Sequence, residues 1–163
     1  MGLKILIFKL FFIIIFTLYI NNLHGAEIIS GVAKVIDGDT IHIKNNKIRL
    51  HGIDAPEQLQ KCYINKKKWS CGIEATKFLK NLIKKKSIDC ETKDIDQYNR
   101  FISICFLKNL NINQNIVRSG WAIAYRYYSK DYIVDEEFAK INKLGIWAGT
   151  FEEPYSFRKK NKK

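Results

Sequence analysis

Apolar and polar residues alternate along two neighbouring stretches, TIHIK at residues 40–44 and KIRLH at residues 47–51. Such a period of two is typical of half-buried strands. The Asn45–Asn46 dipeptide between them predicts a hairpin, because Asn tolerates the positive φ of a tight turn. The side chains expected on the core face are Ile41, Ile43, Ile48 and Leu50, with His42, Arg49 and His51 opposite.

Three further stretches have the apolar spacing of amphipathic helices. The first covers residues 72–86, begins near Glu74 and ends in lysines, a charge order that suits the helix dipole. The second is short and ends before Gly120, and the third covers residues 132–144. The side chains expected to face the core are Ala75, Phe78, Leu79 and Leu82 in the first, Ile112, Ile116 and Val117 in the second, and Val134, Phe138 and Ile141 in the third.

A second pair of strands is expected at residues 87–94 and 99–107, joined by a polar turn. Mostly antiparallel strands, interrupted by helices that do not cross over a sheet, are typical of an α+β fold built on a small barrel. We therefore predict an α+β domain with about five strands and three helices.

Four cysteines lie beyond the N-terminal segment, at Cys62, Cys71, Cys90 and Cys105. An even number in a small exported domain is typical of disulfides, and four cysteines allow three connectivities. Antiparallel pairing of the second strand pair places Cys90 opposite Cys105, and local geometry favours Cys62 with Cys71. A four-cysteine zinc site is the alternative, although the sequence has no C-x-x-C pair.

The first 25 residues have the pattern of a secretory signal peptide. Lysines at positions 4 and 9 precede the apolar run Leu10–Phe16, and Gly25 and Ala26 are small enough for a signal peptidase to cut there. The alternative is an uncleaved membrane anchor over residues 5–20, which is short for a full span. We expect a signal peptide at 1–25, a folded domain at 26–150 and a basic tail at 151–163, in a secreted or periplasmic protein.

The chain is basic, with 28 Lys and Arg against 16 Asp and Glu and a formal net charge of +12. Residues 1–25 hold two lysines and no acid, so the charge without them is +10. A charge of this size favours polyanionic partners through long-range attraction and counterion release. Five of the charges lie in the C-terminal RKKNKK, which is expected to be a solvated, disordered tail.

Four carboxylates and one arginine gather within residues 35–57, namely Asp37, Asp39, Asp54, Glu57 and Arg49. Pairing through the hairpin turn places Asp39 opposite Gly52, so that Asp54 lies one step further at the same end. Two carboxylates at one end of a hairpin can share a hard cation such as Ca²⁺. Strand parity places Arg49 on the face opposite Leu50, so either a bend at Gly52 or strong coiling of the barrel is needed to bring its guanidinium to the acids. Each motif alone is also an ordinary turn composition.

Phosphodiester hydrolysis uses all of these groups together. A divalent cation neutralises phosphate charge, a carboxylate accepts the proton of the attacking water, and arginines bind the developing negative charge bidentately. Arg49 is one candidate for the last role. Arg100, at the end of the DIDQYNR turn, is the other.

Three blocks of the sequence, VIDGDTIHI, IRLHGIDAPE and DQYNR, resemble the staphylococcal nuclease (thermonuclease) family in order and spacing. Shorter similarities occur in SCGIEA, GWAIAYRYY and LGIW, so the resemblance covers about residues 30–149. It implies a five-stranded OB-type barrel with three helices, which agrees with the α+β domain predicted from the pattern.

The resemblance also implies roles for particular residues. Asp39 and Asp54 would bind Ca²⁺ through their carboxylates and Ala55 through its backbone carbonyl, although the family's type member has threonine at that last position. Glu57 matches the family's general base, and Arg49 and Arg100 match its phosphate-binding arginines. The tyrosines that match substrate-binding positions are Tyr98, Tyr125 and Tyr127. Residues 58–71 depart from the family, because a mobile lysine-rich loop is replaced here by a segment flanked by Cys62 and Cys71.

The function implied is that of an exported, calcium-dependent nuclease. It would hydrolyse DNA, and RNA as a further candidate substrate, with little sequence specificity and with 3′-phosphate ends as products. The alternatives are a non-catalytic nucleic-acid binder on the same barrel and a membrane-anchored structural protein, which would leave the acidic cluster unexplained. A monomer with no obligate protein partner is expected. The histidines His24, His42 and His51 are expected to be surface residues rather than ligands.

Overall fold

A computed structural model of the chain describes residues 27–161. The predicted signal peptide, its cleavage site and the alternative anchor at 5–20 lie outside these residues. Ten strands are formed in the described part: β1 (Ile28–Val35), β2 (Thr40–Ile43), β3 (Asn46–Leu50), β4 (Ile53–Asp54), β5 (Cys62–Ile64), β6 (Lys67–Trp69), β7 (Ser87–Ile95), β8 (Phe101–Leu107), β9 (Leu110–Asn111) and β10 (Ile123–Ala124). The α-helices of that part are α1 (Cys71–Ile83), α2 (Ile112–Arg118), α3 (Ile133–Ile141) and α4 (Pro154–Lys160), and a 3₁₀ helix covers Gly145–Ala148.

Five of the strands close into a barrel. The antiparallel order β3-β2-β1-β7-β8 is completed by a parallel pairing of β3 with β8, in which Arg49 lies opposite Ile102. Ile41, Ile43, Ile48 and Leu50 fill its interior, each at most 1% exposed, as the alternation predicts. The predicted fold class, an α+β protein dominated by a five-stranded OB-type barrel, is confirmed, with one helix more than expected.

The two-residue turn of the β2–β3 hairpin lies one residue earlier than predicted, so the β3 partner of each β2 residue differs from the predicted one by two positions. Ile43 pairs with Asn46, so the turn residues are Lys44 and Asn45, and Lys44 adopts the left-handed conformation with φ 53°. Asn46 is therefore the first residue of β3 and not part of the turn. Asp39 consequently lies opposite Leu50, whose N–H donates to the Asp39 carbonyl at 2.8 Å, and the predicted pairing with Gly52 is wrong.

The three predicted helices are present, but α3 presents a different face to the protein. Val134 and Ile141 are 77% and 79% exposed, and the buried residues are Asp135, Glu136 and Ala139. Glu136 is buried because its carboxylate accepts hydrogen bonds from the Ala124 N–H, Arg126 and Lys140. Burial acts to raise the pKa of Glu136, but these hydrogen bonds hold it below its usual value.

The four cysteines form the two disulfides that local geometry favours, Cys62–Cys71 and Cys90–Cys105. Cys90 and Cys105 are register partners in the β7–β8 pair, as predicted. The first disulfide links β5, in the exposed β5–β6 hairpin, to the start of α1. The cysteines are thus not available for the alternative zinc site. No helix within residues 27–161 is both long enough and apolar enough to cross a membrane.

The C-terminal segment is partly ordered, and the expectation that RKKNKK is a disordered tail is wrong for residues 158–160, which lie in α4. Pro154 occupies the first turn of α4, where its fixed φ and missing N–H suit a helix start. Pro154 is buried, and Thr150 forms a β-bridge with Tyr63. The segment after the 3₁₀ helix therefore packs back on the domain.

Candidate active site

Asp39 is held in place by the turn that connects β1 to β2. Its N–H donates to Asp37 Oδ1 at 3.0 Å, which is an Asx-type turn. Gly38 packs so closely that a Cβ there would lie 2.6 Å from the Ala55 Cβ, so only glycine fits. The turn thereby brings Asp39 against the chain at Ala55, in a position where the aspartate is only 2% exposed.

Both carboxylate oxygens of Asp39 have partners. Oδ1 accepts from Arg49 Nη1 at 2.6 Å and from the Thr40 hydroxyl at 3.1 Å, and Oδ2 accepts from the Ala55 N–H at 2.8 Å. Ala55 thus contacts the cluster through its amide, while the role of its carbonyl stays a prediction.

Arg49 joins the two predicted metal-binding aspartates. Nη2 donates to Asp54 Oδ1 at 2.7 Å while Nη1 bonds to Asp39, so one guanidinium spans both carboxylates. Of the two alternatives that strand parity leaves, a bend is present at Gly52, whose φ is +72°. After this bend β4 pairs with β10, with Asp54 opposite Ile123, and the Asp54 side chain is fully buried.

Glu57 follows in a turn whose backbone is fixed by Gln60. The Glu57 N–H donates to Gln60 Oε1 at 3.1 Å, and the Gln60 N–H donates to the Glu57 carbonyl at 2.7 Å. Gly72 of α1 packs against the same carbonyl so closely that a Cβ would lie 1.8 Å from it. The Glu57 side chain itself is 31% exposed, so water can reach it.

Arg158 of α4 is a member of the cluster that the sequence analysis missed. Its Nη1 and Nη2 donate to the two oxygens of Asp54 at 2.7 and 3.1 Å, and Nη1 also donates to Glu57 Oε1 at 2.8 Å. Arg158 lies 104 residues from Asp54 in a lysine-rich stretch, so no local signal distinguishes it. The cluster therefore combines three carboxylates with two guanidiniums.

Burial controls the protonation of the two aspartates. It raises the pKa of Asp39 to about 6, although the positive charge of Arg49 acts in the opposite direction. Burial also raises the pKa of Asp54, against the hydrogen bonds from Arg158. A bound cation would favour the ionised form of both carboxylates, and would therefore lower the pKa values that burial raises.

The chemistry of these donors fits a hard divalent cation. Two buried aspartates offer oxygen ligands on either side of Arg49, and backbone carbonyls and water ordinarily complete the shell of Ca²⁺. Within residues 27–161, no three side chains of His, Cys, Asp or Glu are grouped so as to form a metal site by themselves. His42 and His51 are half-buried on the barrel wall and His24 lies outside the described residues.

Arg100 lies just before the strand that pairs with β3, but its side chain has a different partner from that of Arg49. It immediately precedes β8, two residues before Ile102, the register partner of Arg49. Its guanidinium forms an ion pair with Asp96 at 2.6 Å and lies 5.5 Å from the centre of the exposed Tyr98 ring. The structure therefore does not bring Arg100 into contact with the carboxylates.

Tyrosines form an exposed cluster beside β10. The Tyr125 N–H donates to the Gly52 carbonyl at 2.9 Å, which ties this residue to the bend before Asp54. The ring centre of Tyr125 is 6.4 Å from that of Tyr127, and Tyr128, which the sequence analysis did not single out, lies 5.0 Å from Tyr125. Burial raises the pKa of Tyr125, and the negative charge of Asp54 adds to the shift.

Comparison with known proteins agrees with this fold. Residues 47–149 match the family model described as staphylococcal nuclease homologue. A Haemophilus influenzae protein named as an uncharacterized endonuclease is 33% identical over 139 residues, 80% of this chain and 73% of the relative. The micrococcal nuclease of Shigella flexneri is 30% identical over 150 residues, 80% of each chain. A Rhizobium meliloti succinoglycan biosynthesis protein, ExoI, is 35% identical over 127 residues, 76% of this chain and 66% of its own.

The closed five-stranded barrel, the family match and the relatives named as nucleases together place the protein among the phosphodiester hydrolases that act on nucleic acid. The chain belongs to the staphylococcal nuclease family.

Proposed function

We propose that this chain is an exported, calcium-dependent nuclease that cleaves DNA or RNA with little sequence specificity and leaves 3′-phosphate ends. The observation that carries the proposal is the buried carboxylate pair, Asp39 and Asp54, joined by one guanidinium and flanked by the accessible Glu57. A protein that only bound nucleic acid would gain nothing from burying these acids in a basic chain.

Four residues of the cluster, together with Ala55 and Arg100, have roles in this proposal. Asp39 and Asp54, with the carbonyl of Ala55, would hold Ca²⁺, which supplies positive charge at the scissile phosphate when bound. Glu57 accepts the proton of the attacking water. Arg49 and Arg100 donate hydrogen bonds to the phosphate oxygens as their negative charge develops.

The exposed aromatic rings complete the proposed substrate surface. Tyr125 and Tyr127 would stack on or beside the nucleobase, and Tyr98 would lie near the phosphate next to Arg100. Base stacking on aromatic rings is tolerant of sequence, which supports the proposed lack of specificity. The net charge of +10 without residues 1–25 supports nucleic acid as the partner.

Export is supported by the two disulfides, which form in oxidising compartments. We propose that residues 1–25 are a cleaved signal peptide, that residues 26–150 form the nuclease domain and that the mature protein is secreted or periplasmic. The protein acts as a monomer in this proposal.

The test is digestion of single-stranded and duplex DNA by the purified protein in Ca²⁺, Mg²⁺ or EDTA, followed by labelling of the product ends. Cleavage is expected in Ca²⁺, with phosphate at the 3′ end, and none is expected in EDTA. An Arg100→Ala variant should retain DNA binding but lose about a hundredfold to a thousandfold in rate, and Lys93→Ala on the exposed part of β7 is the matched control. DNA retardation without cleavage, unchanged by EDTA, would show that the protein is a binder only.

Calcium affinity should fall as the pH falls below about 6. The pKa of Asp39 is raised to about 6 in the cation-free protein, so below that pH a proton competes with Ca²⁺ for this carboxylate. Above it the carboxylate is already ionised and pH has little effect. We expect the Kd to rise up to about tenfold for each pH unit below 6, as measured by calorimetric titration between about pH 5 and 8. Equal Kd values across this range would contradict Asp39 as a ligand.

A further inference from the structure

The C-terminal helix α4 inserts a guanidinium into the acidic cluster. Arg158 lies in its last turn, and its side chain is 30% exposed. Arg158 donates to both oxygens of Asp54 and to one oxygen of Glu57, so it engages two of the three carboxylates on which the proposed reaction depends. The residues that match the family model end at 149, so α4 lies beyond the matched part.

Contacts before α4 fix the position of the segment. Gln60, which is fully buried, donates from Nε2 to the Glu152 carbonyl at 2.6 Å while its Oε1 accepts the Glu57 N–H. One buried side chain thus joins the backbone of the C-terminal segment to that of the Glu57 turn. Phe151 packs edge-on against Trp147, with ring centres 4.9 Å apart. Arg158 therefore belongs to a segment that is packed on the domain, and this packing places its side chain at the cluster.

The partners of Arg158 are those that a divalent cation would need. The Asp54 carboxylate is already shared between Arg49 on Oδ1 and Arg158 on both oxygens. A cation within ligand distance of Asp54 would lie next to a guanidinium of the same sign, in a site with little water to screen the repulsion. Arg49 contacts Asp54 through one oxygen only, so Arg158 is the group whose departure frees the other.

We propose that Arg158 and the divalent cation exclude each other, so that α4 carries a built-in competitor for the metal site of the proposed nuclease. The inference rests on the proposed function, because the cation is the one proposed above. If only undocked protein binds Ca²⁺, the apparent Kd equals the intrinsic Kd divided by the fraction of protein in which Arg158 is undocked. Cleavage then needs both the cation and the release of Arg158 from Asp54.

The test is calorimetric titration of the purified protein with Ca²⁺ in the absence of nucleic acid. Arg158→Ala should bind Ca²⁺ at least about tenfold tighter than the wild type, because no guanidinium has to leave; a tenfold change corresponds to about 1.4 kcal/mol. Arg158→Lys keeps the charge but loses the bidentate contact and should fall between the two. The matched control is Lys159→Ala, an exposed neighbour on the same helix, which should leave the Kd unchanged.

A second measurement follows Arg158 directly. The NMR resonance of the Arg158 Nε–H should move towards that of a solvated arginine as Ca²⁺ is added, at the concentrations at which calorimetry detects binding. Equal or weaker Ca²⁺ binding by Arg158→Ala, with the wild type binding Ca²⁺ and cutting DNA, would overturn the exclusion alone. If neither protein bound Ca²⁺ or cut DNA, the proposed function would fail together with it.

Discussion

Replacing Glu57 by glutamine should lower the rate of DNA cleavage about a hundredfold to ten-thousandfold, the usual contribution of a positioned general base. Glutamine keeps the size and the hydrogen-bonding shape of the side chain but cannot accept a proton from water. The turn should persist, because Gln60 holds the Glu57 position through its backbone and Gly72 packs on its carbonyl. The measurement is the steady-state rate on duplex DNA at saturating Ca²⁺.

The control for this loss is Glu74→Gln, a partly exposed glutamate in the first turn of α1 whose partner is Lys77. It removes one negative charge from the same region without touching the cluster, so its rate should stay close to that of the wild type. DNA binding by Glu57→Gln should be retained, since the basic surface is unchanged. A Glu57→Gln enzyme with full activity would require another group to take the proton.

Replacing Arg49 by alanine should damage both activity and stability. Asp39 has no cationic partner besides Arg49 among residues 27–161, so the variant leaves a buried carboxylate without its ion pair. Breaking a buried pair from one side typically costs about 3–5 kcal/mol, and losing an arginine that stabilises phosphate charge costs about a hundredfold to a thousandfold in rate. Urea unfolding in EDTA and cleavage in Ca²⁺ measure the two effects.

Addition of Ca²⁺ should affect the loss of stability and the loss of rate in Arg49→Ala differently. A bound cation replaces the missing positive charge beside Asp39, so Ca²⁺ should restore much of the lost stability but little of the lost rate. Lys77→Ala, which removes an exposed ion pair with Glu74, should change the free energy of unfolding by no more than about 0.5 kcal/mol. Full recovery of the rate in Ca²⁺ would mean that Arg49 only balances charge and does not contact the phosphate.

Patterns within one strand or helix were sufficient to predict the barrel core. Ile41, Ile43, Ile48 and Leu50 alternate with polar residues, and burial follows that alternation directly. The apolar residues of α3 show the limit of this reasoning. Val134 and Ile141 have helical spacing yet face outward, because Glu136 is drawn inward by Arg126 and the Ala124 N–H. Those partners lie on another element, which periodicity does not describe.

The site was predictable where its residues lie in recognisable motifs. The Asp39 turn and the acids of residues 54–57 could be predicted from short stretches of sequence, whereas the bend at Gly52 was one of two alternatives that strand pairing could not decide. The hairpin register could not be predicted in this way, because Lys44, and not Asn46, is the turn residue that adopts the left-handed conformation. Arg158 could not be predicted either. Its contact with Asp54 depends on the docking of the C-terminal segment, in which Gln60 bonds to the distant Glu152.

The Cys62–Cys71 disulfide makes the rigidity of the segment beside Glu57 depend on oxidation. It links the hairpin after the Glu57 turn to the first residue of α1, next to the glycine that packs on Glu57. A disulfide typically contributes about 2–4 kcal/mol and forms only after a chain leaves a reducing cytoplasm. Before the proposed export, the β5–β6 hairpin and the start of α1, which lie beside Glu57, would therefore lack this covalent link. Oxidation after the proposed export would then restrict the motion of the segment that follows Glu57, and the reduced chain would hold this proposed base less firmly.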